Sequence, residues 1–392
     1  MNPLLSATRA ALSVGVFAVL AALGNGAGAA MPAGDQHVYF GTYTKGKSKG
    51  IYRAGFDTQT GRLGAVELAA ETGDPSFLAV DPNGRFLYAI DERTDPAKTP
   101  GKGVSAYAID AKTGTLTLLN QQSVGGPGPC HLVVDTTGRS LLVANYVGGS
   151  VAAIALEPDG RLGRAGSVVQ HTGSSVHARQ KAPHAHAVTL SPDNRFVLCA
   201  DLGIDRVLVY RLDPAKATLV AHDPPSVSLA SGAGPRHLAF RPDGKFVYVI
   251  NELQCTVSVF GYDAAKGKLQ EVQTISTLPT GESVQQGYST AEVMVHPNGR
   301  LLFGSNRGHN SIVVYAIDAA SGRLTLVEHE ATQGKTPRHF AIDPSGRWLL
   351  AENQGSDSVV VFRIVAASGM LEPTGRTAEV PVPVCAVFVS AR

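Results

Sequence analysis

A hairpin motif that recurs along the chain constrains the fold more than any other feature. Each copy holds two runs of mainly apolar residues joined by a short turn rich in Pro, Asp, Asn and Gly, which is typical of a β-hairpin. A second hairpin, such as SIVVYAIDAASGRLTLV from Ser311, follows each copy, so one repeat holds four strands. The six copies are PSFLAVDPNGRFLYAIDE from Pro75, PCHLVVDTTGRSLLVANY from Pro129, AHAVTLSPDNRFVLCADL from Ala185, GPRHLAFRPDGKFVYVINE from Gly234, TAEVMVHPNGRLLFGSNR from Thr290 and PRHFAIDPSGRWLLAENQ from Pro337.

The spacing of the repeats predicts a β-propeller. The turns recur roughly every fifty residues, and repeats of that length with four strands each are typical of propeller blades. HVYFGTYT from His37 matches a second strand without a first, and PVCAVFV from Pro383 matches a first strand without a second. Joined, the two ends complete one more blade and leave no open edge. We therefore predict an all-β, seven-bladed β-propeller with four antiparallel strands per blade, the last blade closed by the N- and C-terminal strands.

The first thirty residues differ from the repeats. Arg9 precedes an apolar run from Ala10 to Leu23 and a stretch of small residues, which predicts a signal peptide over residues 1–30 with cleavage near Ala29 or Ala30. An uncleaved anchor is the alternative, but the run is short for a membrane span. Residues 31–392 are then one exported, periplasmic propeller domain without a membrane partner. Since 34 Lys and Arg oppose 32 Asp and Glu, for a net charge of +2, we expect no nucleic-acid partner.

Polar residues stand at the outer ends of the hairpin motifs. In the copy that turns at Gly244, Arg236 and Glu252 each lie eight residues from that glycine, and His237 and Asn251 each lie seven. Because the first two strands of a blade are antiparallel neighbours, such ends share one face. In a propeller the first strands line the central channel. The sequence therefore predicts a polar cluster at one mouth of the channel.

The cluster combines side chains suited to an anionic small molecule with carbonyl chemistry. Arginine provides a planar fork for carboxylate or phosphate groups. Histidine and glutamate transfer protons near neutral pH. The candidate site residues of this cluster are His184, His186, Arg236, His237, Glu252, Glu292, Asn306, Arg307, Arg338 and His339.

Each candidate also has a structural interpretation. His237 and His339 occupy equivalent points of their repeats, as does His131, and residues repeated by blade position commonly close hydrogen bonds inside the fold. Asn306 repeats in the same way, and a salt bridge between Arg236 and Glu252 would need no further purpose than stability. The members that do not repeat are more informative, and they are Glu252, Glu292, Arg307 and the two histidines of PHAHAVTL.

Other signals point to no cofactor and no metal. His184 and His186 could hold a metal, but the sequence offers no third ligand at a fixed spacing. The four cysteines show no metal or haem pattern and stand in strand-like segments as small buried residues. Two long loops, residues 171–182 and 280–289, precede channel strands. They either border the site or are surface loops whose extra length has no function.

On these motifs the chain resembles the lactonase family of seven-bladed propellers. The family includes the propeller-type bacterial 6-phosphogluconolactonases and the fungal carboxy-muconate lactonizing enzymes. The resemblance covers nearly all of residues 31–392 and is carried by PHAHAVTLSPDNRFVLCADLGIDRV, GPRHLAFRPDGKFVYVINEL, AEVMVHPNGRLLFGSNRGHNSIVVY and TPRHFAIDPSGRWLLAENQGSDSV.

The resemblance implies a site and an activity. It places the site at His184 or His186, Arg236, Glu252 and Arg307, of which His186 lies nearer the mouth by the hairpin count. It implies a cofactor-independent hydrolase that opens a sugar-type lactone, with the arginines binding substrate and Glu252 or His186 acting as base. The family's phosphorylated lactone is a cytoplasmic metabolite, so export favours an unphosphorylated or carboxylated lactone. The alternatives are a muconate-type cycloisomerase and a non-catalytic exported binding propeller of the YVTN-repeat kind.

Overall fold

The computed structural model describes residues 35–44, 46–93, 95, 97–98 and 102–391, and the predicted signal peptide lies outside the described residues. In this part of the chain nearly all regular structure is β-strand, with one short 3-10 helix at Gln354–Ser356. None of its helical structure is long and apolar enough to cross a membrane.

The strands form seven sheets, one per blade. Blades 1 to 3 contain strands β5 to β16, which are Leu78–Val80, Phe86–Ile90, Val104–Ile109, Leu116–Gln122, Pro129–Val134, Ser140–Asn145, Ser150–Leu156, Leu162–Gln170, Ala185–Leu190, Phe196–Asp201, Arg206–Asp213 and Thr218–Ser228. Blades 4 to 6 contain strands β17 to β28, which are Pro235–Phe240, Phe246–Asn251, Thr256–Asp263, Lys268–Ser276, Ser289–Val295, Leu301–Arg307, Ser311–Ile317, Leu324–Ala331, Pro337–Ile342, Trp348–Asn353, Ser358–Ile364 and Leu371–Glu379.

Blade 7 is built from both ends of the chain, as predicted. Strands β1 to β4 are Gln36–Thr42, Gly50–Asp57, Arg62–Leu63 and Glu67–Glu71, and β29 is Pro383–Ser390. The N-terminal strand β1 pairs antiparallel with β29 on one side and with β2 on the other. The outermost position is divided between β3 and β4, which both pair with β2. The first strands of neighbouring blades contact one another around the ring, and β29 contacts β5 and closes it.

The hydrophobic core is distributed between the blades. Buried apolar side chains form seven clusters, and each cluster joins residues of two neighbouring blades. Strand residues alternate between the two faces of a sheet, so a blade buried on both sides presents apolar residues in both directions. This explains why the second strand of blade 4, FVYVIN, is buried along its whole length.

The turn inside each motif is fixed by local chemistry. In blade 2, Asp135 Oδ1 accepts hydrogen bonds from the backbone N–H groups of Arg139 and Ser140, both at 2.7 Å. Gly138 adopts a φ of +70°, a left-handed conformation that glycine takes at little cost. These contacts set where the second strand begins.

The register at the outer end of the motif differs from the count made from the turn. In blade 4, Asn251 pairs with Pro235 and Ile250 pairs with His237, so Arg236 is an extra residue that forms a β-bulge. The prediction that His237 stands opposite Asn251 was therefore wrong, because it assumed a regular ladder up to the strand end. A bulge leaves one residue unpaired and re-aims its side chain. The same irregularity occurs in the first strands of blades 2, 3, 6 and 7.

Candidate active site

The bulges place two consecutive side chains of one strand toward the channel. Arg236 and His237 of blade 4 line the same small cavity as Arg338 and His339 of blade 6, together with Glu92. In a regular strand, neighbouring side chains point to opposite faces. The bulge thus lets one strand contribute both a cation and an imidazole to this region.

Glu252 follows β18 and is the centre of a group of charged residues that we call the arginine–glutamate cluster: Glu252, Arg179, Arg236 and Arg307. Its Oε2 atom lies 3.0 Å from Arg236 Nε and 3.2 Å from Arg307 Nη2, and its Oε1 atom lies 2.5 Å from Arg179 Nη1. Burial raises the pKa of Glu252, but the three guanidinium groups lower it more, to about 2. Glu252 is therefore a fixed anion and a weak base.

Arg236, which is buried, and Arg307, which is partly exposed, are also held by the backbone of blade 5. Arg236 Nη1 donates to the carbonyl oxygen of Ala291 at 2.9 Å, and Arg307 Nη2 donates to that of Thr290 at 2.7 Å. Arg307 Nε is buried without a hydrogen-bond partner among the described residues. A buried donor without a partner is costly, and a bound acceptor would satisfy it.

His186 is the imidazole nearest to Glu252. Its Nε2 atom lies 4.0 Å from Glu252 Oε2, and its side chain is almost completely buried. Burial lowers the pKa of His186 well below its usual value, and the charge of Arg236 lowers it further. His186 is therefore neutral at pH 7 and able to accept a proton. Its backbone carbonyl accepts a bond from the Cys130 thiol at 3.2 Å.

A second polar group lines the same region. Arg338 Nη2 donates to the hydroxyl of Tyr43 at 2.8 Å, and that hydroxyl donates to Glu92 Oε2 at 2.7 Å. Ser76 also donates to Glu92 Oε2. The sequence analysis missed Tyr43 and Glu92. A signal for Glu92 was present, since it lies eight residues after the turn glycine Gly84, just as Glu252 lies eight after Gly244.

Deeper in the fold, two carboxyl groups and two imidazoles form what we call the acid–histidine chain: Glu352, His339, Glu292 and His237. His339 Nδ1 lies 2.8 Å from Glu352 Oε2, and its Nε2 lies 3.5 Å from Glu292 Oε2. Glu292 Oε2 lies 2.8 Å from His237 Nδ1. The sequence predicted His237, Glu292 and His339 to be substrate-binding residues, and in the structure Glu292 is hydrogen-bonded to His237 and lies within ion-pair distance of His339.

Glu352 lies at one end of this chain. The N–H of Ala386 approaches His339 Nδ1 at 3.3 Å, and Glu352 Oε2 lies 2.8 Å from the same nitrogen. An imidazole nitrogen carries either one proton or one lone pair, so the shorter contact with Glu352 is its main hydrogen bond. Burial raises the pKa of Glu352 well above its usual value, and the nearby Glu292 adds to this. The pKa of Glu292 is also raised, with burial as the largest cause.

Two other candidates, Asn306 and His184, form their hydrogen bonds with residues outside the arginine–glutamate cluster. Asn306 Nδ2 donates to the carbonyl oxygen of Thr277 at 2.9 Å and to Ser311 Oγ at 3.2 Å, an arrangement that favours its structural interpretation. His184 is half-buried, donates through Nδ1 to the carbonyl oxygen of Tyr146 at 2.9 Å and stacks on that ring.

The long loop of residues 171–182 does border this region. It brings Arg179 to Glu252, a contact that no repeat could predict because the other blades lack a counterpart. All four cysteines are buried and unpaired, as expected for small core residues. Among the described residues, no group of three or more His, Cys, Asp or Glu side chains is arranged to hold a metal ion.

Fold and polar side chains together define a seven-bladed β-propeller with a cluster of arginines and buried carboxyl groups at the outer ends of its inner strands. Comparison with known proteins identifies the family. A family model described as Lactonase, 7-bladed beta-propeller matches residues 37–388. The chain belongs to this lactonase family.

Individual relatives cover nearly the whole chain. A 6-phosphogluconolactonase of Bacillus subtilis is 38% identical over 352 residues, which is 90% of this chain and 97% of that protein. A 6-phosphogluconolactonase of Formosa agariphila is 33% identical over 308 residues, covering 77% of this chain and 85% of that protein. The solved structure of a periplasmic gluconolactonase of Pseudomonas aeruginosa matches with a TM-score of 0.83 at 35% identity, covering 91% of this chain and 99% of that one.

Proposed function

We propose that this protein is an exported hydrolase that opens a sugar-type lactone to its hydroxy acid, without a cofactor, at the channel mouth formed around the arginine–glutamate cluster. The observation that carries the proposal is the convergence on Glu252 Oε2. Arg236, Arg307 and His186, from three different blades, lie at 3.0, 3.2 and 4.0 Å from this one atom. Similarity to a 6-phosphogluconolactonase and to a periplasmic gluconolactonase supports the same activity.

His186 is the better candidate for the general base. A carboxylate held by three guanidinium groups, with a pKa of about 2, takes up a proton poorly near pH 7, whereas His186 is a neutral imidazole whose protonated form the adjacent anionic Glu252 stabilises. In the proposed step, His186 takes a proton from a water molecule as the water oxygen attacks the ring carbonyl carbon. The bond between that carbon and the ring oxygen then breaks, and His186 returns the proton to the leaving alkoxide. The anionic Glu252 stabilises the imidazolium that exists between these two transfers.

Arg236 and Arg307 supply the electrostatic part of the mechanism. Negative charge develops on the carbonyl oxygen during attack, and preorganised donors at that oxygen lower the barrier. Glu252 keeps the two guanidinium groups side by side, which would otherwise repel each other. Its role is thus to position the cations and to balance the charge of His186.

The test is acid release by the purified protein with gluconolactone, 6-phosphogluconolactone and muconolactone, with and without a chelator. We expect hydrolysis above the spontaneous rate that is unaffected by the chelator. Glu252→Gln should lower kcat/KM by roughly 100-fold, since it removes the charge that organises the site. Glu352→Gln is the matched control, because it makes the same change at a buried carboxyl group outside the cluster.

Three outcomes would contradict the proposal. No hydrolysis of any lactone would favour the binding propeller, and lactone formation from an unsaturated dicarboxylate would favour the cycloisomerase. Full activity of Glu252→Gln would remove Glu252 from the site. Export is tested separately by fractionating cells, where the predicted signal peptide and the similarity to a periplasmic gluconolactonase lead us to expect the periplasm.

A further inference from the structure

Arg179 differs from the other cations of the arginine–glutamate cluster in its exposure. Its side chain is 45% exposed, whereas that of Glu252, which it contacts, is 5% exposed. One end of its guanidinium group, Nη1, binds Glu252, and the other, Nη2, donates to the hydroxyl of Tyr146 at 3.0 Å. Arg179 therefore stands on the solvent side of the cluster, where an arriving ligand would meet it first.

The loop that carries Arg179 is attached to the body of the fold at the next residue. Gln180 is completely buried, and its Nε2 donates to the carbonyl oxygen of Leu202 at 2.8 Å and to Asp205 Oδ1 at 2.7 Å. Ser175 Oγ donates to Asp205 Oδ2 at 2.5 Å. These bonds fix the backbone beside Arg179 while its exposed side chain stays free to change partners.

Asp205 connects this loop with the segment that precedes Arg236. It accepts backbone N–H bonds from Gly232 and Gly234, both at 2.7 Å, in addition to those from the loop. Arg236 follows Gly234 by two residues. A single carboxylate thus sets the relative positions of Arg179, which is half exposed, and Arg236, which is buried.

The charge around the cluster is unbalanced in favour of cations. The two polar groups described above contain four guanidinium groups, at Arg179, Arg236, Arg307 and Arg338, and two carboxylates, at Glu252 and Glu92. Glu252 retains Arg236 and Arg307 if Arg179 turns away. An anionic ligand group can therefore recruit Arg179 without leaving Glu252 unpaired.

We propose that Arg179 determines substrate specificity by binding a second, anionic substituent of the lactone, a phosphate or a carboxylate, and that Asp205 is its positioning residue. The inference deepens the proposed function and rests on it. The planar fork of arginine suits either anion in a bidentate contact. A neutral lactone would contact His186, Arg236 and Arg307 but would have no anionic group for Arg179 to bind.

The experiment compares three lactones of one sugar that differ in the substituent at carbon 6: 6-phosphogluconolactone, glucarolactone with a carboxylate, and gluconolactone with a hydroxyl. For Arg179→Ala we expect kcat/KM to fall about tenfold more for the lactone whose anion is recognised than for gluconolactone, mainly through a rise in KM. The affected lactone identifies the anion. Arg164→Ala, an exposed arginine on the outer strand β12, is the matched control. Equal losses on all three lactones, or no loss on any, would overturn the inference.

Asp205→Asn tests the positioning role. The variant places an amide N–H₂ where backbone N–H groups already donate, so the loop should shift. We expect a loss of the preference for the anionic lactone, and no further loss of preference when the change is added to Arg179→Ala. A full second loss in the double variant would contradict a role through Arg179.

Calorimetry with 6-phosphogluconate, glucarate and gluconate separates this inference from the proposed function, because it needs no turnover. If wild type opens no lactone, the proposed function fails. Weaker binding of one of the dianions, but not of gluconate, by Arg179→Ala would still support the role of Arg179. If wild type binds neither dianion more tightly than gluconate, the inference is wrong.

Discussion

Two buried carboxyl groups in the same propeller, Glu252 and Glu352, have opposite electrostatics. Three guanidinium groups hold Glu252 as an anion with a pKa of about 2, whereas burial and the nearby Glu292 raise the pKa of Glu352 well above its usual value and favour its protonated form. Both side chains are at most 5% exposed, so burial alone does not decide the charge of either group. The side chains of the arginine–glutamate cluster are therefore ionised, whereas burial favours the neutral forms of Glu352 and His339 in the acid–histidine chain. Four predictions test this contrast.

The largest effect is expected at Glu252. Glu252→Gln leaves three guanidinium groups facing a neutral amide. Removing one partner of a buried ion pair lowers the free energy of unfolding by about 3 kcal/mol. Because the folded-state pKa is depressed, the stabilisation by Glu252 is present above its unfolded pKa near 4.5 and is lost as the pH falls toward 2. Denaturant unfolding of wild type and variant at pH 7 and pH 3 should show the difference shrink in acid. A constant difference would argue against an ionised Glu252.

The second prediction concerns pH and the buried imidazoles. Burial lowers the pKa values of His131, His186, His237 and His339, so below pH 6.5 they bind protons only after unfolding. The raised pKa values of Glu292 and Glu352 act in the opposite direction. His37 and His329 add to the first set and Glu328 and Glu330 to the second, so six groups oppose four. Histidines are in excess, so stability should rise with pH between pH 5 and 6.5, by about 1.4 kcal/mol per pH unit for each excess proton. Thermal melts across this range measure it, and a flat profile would contradict neutral histidines.

Glu352→Gln should have a smaller effect of opposite sign to Glu252→Gln. A group with a raised folded-state pKa must take up a proton on folding above pH 4.5, which costs stability as the pH rises, and glutamine removes this cost. Its amide N–H can donate to His339 Nδ1 as the carboxyl O–H does. We expect the variant to be at least as stable as wild type at pH 7, with a steeper rise of stability with pH. A loss of more than about 1 kcal/mol would show that Glu352 is ionised.

The smallest effect is expected for Tyr43→Phe. The change removes the hydroxyl that joins Arg338 to Glu92 but leaves the ring on which the Arg338 guanidinium group lies, 5.3 Å from the ring centre. One lost hydrogen bond of about 1 kcal/mol corresponds to a rise in KM of about fivefold for a ligand that uses Arg338. Steady-state kinetics on the preferred lactone measure this. A change mainly in kcat would place Tyr43 in the chemical step instead.

The blades were predictable because their signals are local. Alternating apolar residues and short turns rich in Pro, Asp, Asn and Gly define each hairpin, and the unmatched halves at the two chain ends defined the closing blade. The meeting of Arg236, Glu252 and Arg307 also followed from counting outward from the turns. Exact pairing did not, because a bulge is a departure from the regular ladder that the count assumes.

The missed residues share a physical reason. Arg179 reaches Glu252 across a long loop, and such a loop offers no repeat from which a position can be inferred. Glu92 stands among other charged residues in IDERTD, where it resembled a solvated turn. The raised pKa of Glu352 depends on its burial and on Glu292, which another blade contributes. None of these contacts is encoded within the segment that carries the side chain.

The bulge in the first strand gives this architecture a form of modularity that is useful for redesign. In five of the seven blades the first strand offers one unpaired position whose side chain can be exchanged without breaking a ladder hydrogen bond. Arg236 and Arg338 occupy two such positions, Cys130 and His186 two others, and Val384 a fifth. Substituting the bulge residue of one blade at a time would therefore alter ligand preference while the rest of the propeller stays unchanged.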